Sequence, residues 1–334
     1  MHQSTGLTIQ PTNHPATHQL SPPRWLQNGH VMTVYVAKRR PNPVYPVERE
    51  RLETPDDDFL DLDWARVGSR HVVVITHGLE GNTDRHYVRG MMRVFNQRGI
   101  DAVALNFRTC SGVMNRQVRT YHAGATPDLE LTLHHVLDRG GYDTLSLVGF
   151  SLGGNVVLRY LGERGAAVPS EINGAAVFSV PVDLETSSRH MATFPSRLYT
   201  WRFMVNLYKK MRKLHAIHPE DVAPVRERFW HTFEHFDNRY TAPLHGYQDA
   251  MDYWTRASSL PVLDNIKVPA LLVNALDDPF LPSKCYPYSA AKQNPNLTLL
   301  TPEFGGHVGF TEHTFDGVTP GTLWSEHTAA TFLG

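Results

Sequence analysis

Cysteine is scarce in this chain. Its two cysteines, Cys110 and Cys285, lie far apart and in no metal-like spacing. That argues against a disulfide framework and fits a reducing compartment. Charge of one sign is lacking too: the formal net charge is −1, so a nucleic acid is a poor first expectation for a partner. No run approaches the ~20 consecutive apolar residues needed to span a bilayer. The first segment, Met1 to Leu20, is polar with several His, Thr and Gln residues and has no apolar stretch, unlike a secretory signal. There is no internal repeat. What these absences leave is an ordinary globular chain, expected in the cytoplasm. It is long enough for one large α/β domain or a domain carrying a substantial insertion.

Residues 1–23 read as a flexible N-terminal arm closed by Ser21-Pro22-Pro23, with the domain occupying residues 24–334. Trp25 to Tyr45 is apolar and aromatic, then punctuated by proline, and is expected to wrap over the domain. Arg51 to Val67 suggests an early antiparallel strand pair. A regular rhythm follows. Val72-Val73-Val74-Ile75 is a continuous β-branched run, the kind buried on both faces of a parallel sheet. Ala102–Phe107, Leu145–Val148, Ala175–Val180, Ala270–Asn274 and Leu297–Leu300 repeat it. Helical patterns stand between them at Tyr87–Gln97, Leu129–Leu137, Val156–Leu161, Ser283–Ala291 and Leu323–Phe332. Strands alternating with helices predict βαβ crossovers and a mostly parallel, doubly wound sheet. The rhythm breaks at residues 183–258, a helical segment rich in aromatic and basic residues, which is expected to form a cap over the site.

The chemistry is concentrated at strand ends. Gly149-Phe150-Ser151-Leu152-Gly153 is a G-x-S-x-G pattern between an apolar strand and a helical segment. In that context it predicts a nucleophile elbow with the Ser151 hydroxyl held above the sheet. An acid and a histidine are needed downstream, in that order. The strand Ala270–Asn274 runs into Ala275-Leu276-Asp277-Asp278-Pro279, and the next strand runs into Gly305-Gly306-His307-Val308-Gly309. Asp278 is the favoured acid, because its spacing to Pro282 resembles the usual acid loop of enzymes with such an elbow, and Asp277 is the alternative. His307 would be the general base, steadied by the carboxylate. Upstream, Thr76-His77-Gly78-Leu79-Glu80-Gly81 ends the first buried strand. It is expected to supply the Leu79 amide to an oxyanion hole shared with the Leu152 amide, His77 being structural. Each motif alone is an ordinary turn, and only their joint order at successive strand ends carries the argument.

Beyond the triad, several stretches have a family look. They are Trp25-Leu26-Gln27-Asn28-Gly29-His30, Asn106-Phe107-Arg108-Thr109-Cys110-Ser111-Gly112, Tyr121-His122-Ala123-Gly124-Ala125-Thr126, and Phe236-Asp237 leading to Thr241-Ala242-Pro243. With them the chain resembles the α/β-hydrolase superfamily, and within it the YheT-like hydrolases related to the animal ABHD1/2/3-type proteins. The resemblance implies the α/β-hydrolase fold and a serine hydrolase of carboxylic esters with no cofactor. Thr109 stands where that pattern has glycine. The expected substrate is a small acyl ester of short to medium chain, cleaved through an acyl-enzyme. The same triad could serve a thioesterase or an acyltransferase, or the chain could be a non-catalytic binder.

Two rival signals remain. His231-Thr232-Phe233-Glu234-His235 fits the inverted zinc-protease pattern H-x-x-E-H, but in a chain with 19 histidines chance matches are expected, and no metal is predicted. In Arg197–His218 the residues Trp201, Met204, Val205, Tyr208 and Met211 recur at helical spacing beside basic residues. That reads as a cap helix packing an apolar stripe, or as a transient contact with a lipid surface or an acyl-binding wall.

Overall fold

The computed structural model describes residues 8–9, 18–226 and 231–334. In chain order the strands are β1 (Thr8–Ile9), β2 (Glu48–Thr54), β3 (Asp58–Ala65), β4 (His71–Thr76), β5 (Asp101–Asn106), β6 (Thr144–Phe150), β7 (Ile172–Phe178), β8 (Ala270–Val273) and β9 (Leu297–Leu300). The helices are α1 (Gly29–Arg39), α2 (His86–Asn96), α3 (Thr126–Asp138), α4 (Leu152–Arg164), α5 (Leu184–Met191), α6 (Arg197–Ile217), α7 (Phe233–Phe236), α8 (Ala242–His245), α9 (Ala250–Ala257), α10 (Tyr288–Gln293) and α11 (Trp324–Leu333). The strands form one nine-stranded sheet in the order β1-β9-β8-β7-β6-β4-β5-β3-β2. Pairing from β9 across to β5 is parallel, and the β5–β3, β3–β2 and β9–β1 pairs are antiparallel. The mostly parallel, doubly wound architecture expected from the sequence is the one observed.

The β-branched run explains the layering. Along β4, Val72 and Val74 pack into one core with α3 and α4, while Val73 and Ile75 pack into the other with α2 and α11. Alternate residues of a strand face opposite sides, so a strand covered on both faces has no polar side. Crossover helices on both faces leave the strand ends free to carry loops, and the candidate site residues lie there.

Some elements differ from the sequence reading. Trp25–Tyr45 contains a genuine helix, α1, started by the Asn28 side chain accepting from the Val31 amide. The helix expected over Ser283–Ala291 is split into a 3₁₀ turn at Ser283–Cys285 and α10, because Pro287 cannot donate the amide a continuous helix needs. Most of the expected arm lies outside the described residues. Its final part is docked: Leu20 is buried, and Glu312 receives the Ser21 amide at 3.0 Å and the His18 ring at 2.7 Å.

Between β7 and β8 the described residues make five α-helices, α5 to α9. The longest, α6, buries Met204, Leu207, Tyr208, Met211 and Leu214 together with Phe236 and Tyr240. Each such side chain contributes about 1.5–3 kcal/mol on burial. Trp201 is outside that stripe and 43% exposed, and Val205 is only partly covered, so the register differs from the expected one by the inclusion of Leu207 and Leu214.

Candidate active site

Ser151 occupies the turn between β6 and α4 with φ 52° and ψ −119°, a strained conformation for a residue with a side chain. The elbow is tight enough to require small neighbours. A Cβ on Gly153 would lie 2.5 Å from the His77 carbonyl oxygen, and one on Gly149 would lie 2.6 Å from the Gly154 Cα. The strained turn lifts the Ser151 side chain off the sheet and onto the start of α4.

His307 meets Ser151 from the loop after β9. Its Nε2 is 3.0 Å from Ser151 Oγ, and its Nδ1 is 2.9 Å from Asp278 Oδ2 and 3.1 Å from Oδ1. The Asp278 side chain is fully buried, and its Oδ1 also accepts the Phe280 amide at 2.9 Å. A carboxylate that can only accept fixes the proton on His307 Nδ1. Nε2 is then left as the acceptor that faces the serine. Three further contacts set the ring. Phe280 stacks on it at 3.9 Å between centroids, the His307 amide donates to Thr33 Oγ1 at 2.8 Å, and the next amide, of Val308, donates to Ser179 Oγ at 2.9 Å.

Asp277, the alternative acid, is placed elsewhere. Its Oδ1 accepts the Gly306 amide at 2.8 Å, and its Oδ2 has no hydrogen-bond partner among the described residues. Burial pushes its carboxyl up to about 6. Of the two adjacent carboxylates, Asp278 is the one that touches the histidine ring.

The upstream turn faces the same point. The Leu79 amide and the Leu152 amide, the latter in the first turn of α4, make no hydrogen bond within the described part of the protein. Both residues line the cavity that contains Ser151. Free amides beside a nucleophile, one in a turn and one at a helix start, are suited to receive a developing negative charge. His77 supports this turn from below. Its Nε2 accepts the Phe107 amide at 3.2 Å, its Nδ1 bonds the Gly78 carbonyl at 2.8 Å, and burial holds it down to about 3. Glu80, at φ 53°, is locked by the Tyr121 hydroxyl, which accepts its amide and donates to its carboxylate, and by the Lys210 ammonium from α6 at 2.6 Å. The left-handed conformation of Thr109, φ 65°, accounts for glycine in the resembling pattern.

The cavity over Ser151 has about 140 Å³ of space and lies beneath α5 to α9. Its wall is mainly apolar, with Leu184, Met191, Phe203, Leu207, Met211 and Phe233. His231 and His235 of the zinc-like motif stack face to face at 3.9 Å, and among the described residues no group of three or more His, Cys, Asp or Glu could hold a metal ion. Sequence reasoning did not find Thr33, Ser179 or Phe280. Asn28-Gly29-His30 was visible as a motif, but its role as the start of the helix that carries Thr33 to His307 was not. Among the described residues no helix is long and apolar enough to cross a membrane.

Comparison with known proteins agrees with the fold. A family model described as the alpha/beta hydrolase fold matches residues 71–314. The chain is 35% identical to YheT of Escherichia coli over 298 residues, covering 86% of each chain. It is 29% identical to the human phospholipase ABHD3, covering 89% of this chain and 74% of that one. Among solved structures, the Pyrococcus furiosus esterase Pf2001 superposes with a TM-score of 0.56 at 19% identity, over 88% of this chain and 91% of that one.

Proposed function

The chain belongs to the α/β-hydrolase family and is a hydrolase, and from that premise we propose that it is a serine esterase with Ser151 as nucleophile, His307 as general base and Asp278 as the acid that orients it. The observation that carries this reading is the unbroken hydrogen-bonded chain from Asp278 through His307 to Ser151, opening into a cavity with apolar walls.

In the proposed reaction Ser151 Oγ attacks the ester carbonyl carbon as His307 Nε2 takes its proton. Asp278 keeps the Nδ1 proton in place and stabilises the imidazolium. The negative charge that forms on the carbonyl oxygen is received by the Leu79 and Leu152 amides, each worth roughly 10²–10³ in rate. Collapse expels the alcohol, which takes the proton from His307 and leaves an acyl group on Ser151. Water, deprotonated by the same His307, then releases the acid. The modest cavity volume supports short- to medium-chain acyl groups, since sites for drug-sized ligands run about 300–1,000 Å³. Two buried free thiols support a reducing compartment such as the cytoplasm. The exposed Phe194, Leu198 and Trp201 around the start of α6 support transient contact with a lipid surface.

Ser151→Ala is expected to lower turnover of p-nitrophenyl butyrate by a factor on the order of 10⁶ with the far-UV circular dichroism unchanged. It should also abolish labelling by a fluorophosphonate. Undiminished turnover by the pure variant would overturn the proposal.

A further inference from the structure

Leu207, Lys210 and Met211 stand three and four residues apart on α6, and all three line the cavity over Ser151. That spacing puts them on one face of the helix. A lysine among apolar side chains is costly unless its charge is met. Here the charge is met across the cavity wall, by the turn that carries the Leu79 amide. The Lys210 ammonium is 2.6 Å from Glu80 Oε1, and the two side chains are 11% and 8% exposed, so water and salt screen the pair little. The same ammonium lies 4.7 Å from the centre of the Tyr121 ring and 3.4 Å from Cys110 Sγ, both on the segment between β5 and α3.

Glu80 follows Leu79 in a four-residue turn closed by the Gly81 amide, which donates to the Gly78 carbonyl at 2.9 Å. Of the two central residues only Glu80 has a positive φ, 53°, at the position where such a turn favours glycine. A residue with a side chain stays in that conformation only where its surroundings outweigh the strain. Three groups supply the hold. The Tyr121 hydroxyl accepts the Glu80 amide at 2.7 Å and donates to Oε1 at 2.8 Å. The exposed Arg85 guanidinium donates to the Glu80 carbonyl at 2.8 Å. Lys210 is the third, and it alone comes from the helices above the cavity. The Leu79 side chain is tied to the same helices, packed against the apolar cluster that α6 buries. Leu152, the other donor residue, begins α4 and has no such tie to α6 through an ion pair.

We propose that Lys210 is a positioning residue of the oxyanion hole: by pinning Glu80 it holds the Leu79 amide beside Ser151, so that one of the two donors is in place only while α6 is seated. This rests on the Ser151 reading, to which it adds a residue acting through Glu80. The helices above the cavity then govern the chemical step as well as access to it.

Lys210→Met keeps the apolar stem and removes the charge. Its kcat for p-nitrophenyl butyrate should fall about tenfold to a hundredfold with KM within about threefold, because the oxyanion contact strengthens only in the transition state. Lys210→Arg restores the charge and should recover most of the loss. Since Lys210→Met strands the Glu80 carboxylate, Lys210→Met combined with Glu80→Gln, which leaves no charge unpaired, is measured beside it and should show a similar loss. Hydrogen exchange read by mass spectrometry follows the turn itself. Both Met variants should exchange the amides of residues 79–81 faster, with those of α4 unchanged. Retention of kcat within twofold in the combined variant, unchanged exchange in the turn, or an Arg variant as impaired as Lys210→Met would overturn the proposal. Each of those results leaves the Ser151 reading standing while a fluorophosphonate still labels Ser151 in the unaltered protein. Absence of that label overturns the Ser151 reading, whatever the exchange of the turn.

Discussion

The adjacent carboxylates Asp277 and Asp278 allow a sharp test, because the proposed mechanism uses only one of them. Replacing Asp278 by Asn keeps the shape and removes the charge. The Phe280 amide, 2.9 Å from Oδ1, needs an acceptor, so the new carbonyl oxygen must occupy that position. The new NH₂ then stands in the place of Oδ2, 2.9 Å from His307 Nδ1. It can only donate, so Nδ1 must give up its proton and Nε2 must carry one. Nε2 is the atom 3.0 Å from Ser151 Oγ, and in that tautomer it cannot take the serine proton. The expected loss in kcat is about 10⁴-fold, or about 5.5 kcal/mol in the barrier. Asp277→Asn works differently. Its carbonyl oxygen still accepts the Gly306 amide, and its NH₂ replaces an oxygen that has no partner among the described residues. Activity should stay within about threefold. The assay is steady-state hydrolysis of p-nitrophenyl butyrate by both variants, side by side. Comparable losses in the two, or a larger loss in Asp277→Asn, would refute the reasoning.

Other outcomes follow from the same structure. Thr109→Gly should raise stability by about 1 kcal/mol, because left-handed φ costs a β-branched residue about 1–2 kcal/mol and glycine's extra unfolded-state freedom takes back part of the gain. A higher urea midpoint would show it, and a lower one would refute it. Arg108→Met should destabilise by about 3–5 kcal/mol, measured the same way, since it strands the Asp58 and Asp128 carboxylates that Arg108 pairs with in the interior at 2.9 Å. Stability should also fall with acid. Burial lowers His77 and His86 to about 3 and His245 to about 4, so between pH 6.5 and 4 the unfolded chain binds the extra protons and folding weakens as pH drops. Asp237 and Asp277, raised to about 6, act in the opposite sense and offset two of those histidines. With His122, which burial also holds well below its usual range, the histidines outnumber them, so the urea midpoint should drop from pH 6 to pH 4. A flat or rising midpoint would refute this.

The strands were legible because a parallel strand covered on both faces is a continuous β-branched run, a pattern contained in a few neighbouring residues. Leu297–Leu300 coincides with β9, and Val72–Ile75 lies within β4. Helix ends were less legible where proline chemistry mattered, as in the split before α10, and α1 was hidden by the prolines that follow it. The insertion showed as a break in rhythm. The buried stripe of α6 was partly misjudged, because helical spacing is consistent with more than one face and only the partners of Met204, Leu207 and Met211 select between them.

By itself the sequence determined the order of the parallel strands and most of the helices between them, and it singled out Ser151, His307 and an acid from the pair Asp277–Asp278 as candidates. Each sits at a strand end, where local pattern and turn chemistry suffice. Only the tertiary structure decided which carboxylate reaches the histidine, because adjacent residues on one loop point in different directions and the direction is set by what packs against them. Tertiary structure also placed Thr33 and Ser179 under the His307 loop. It brought His122, Asp237 and Tyr253 to the wall of one cavity from segments more than a hundred residues apart at their widest. Contacts between residues so distant in the chain leave no local period to read. They exist only once the sheet and the helices above it have closed.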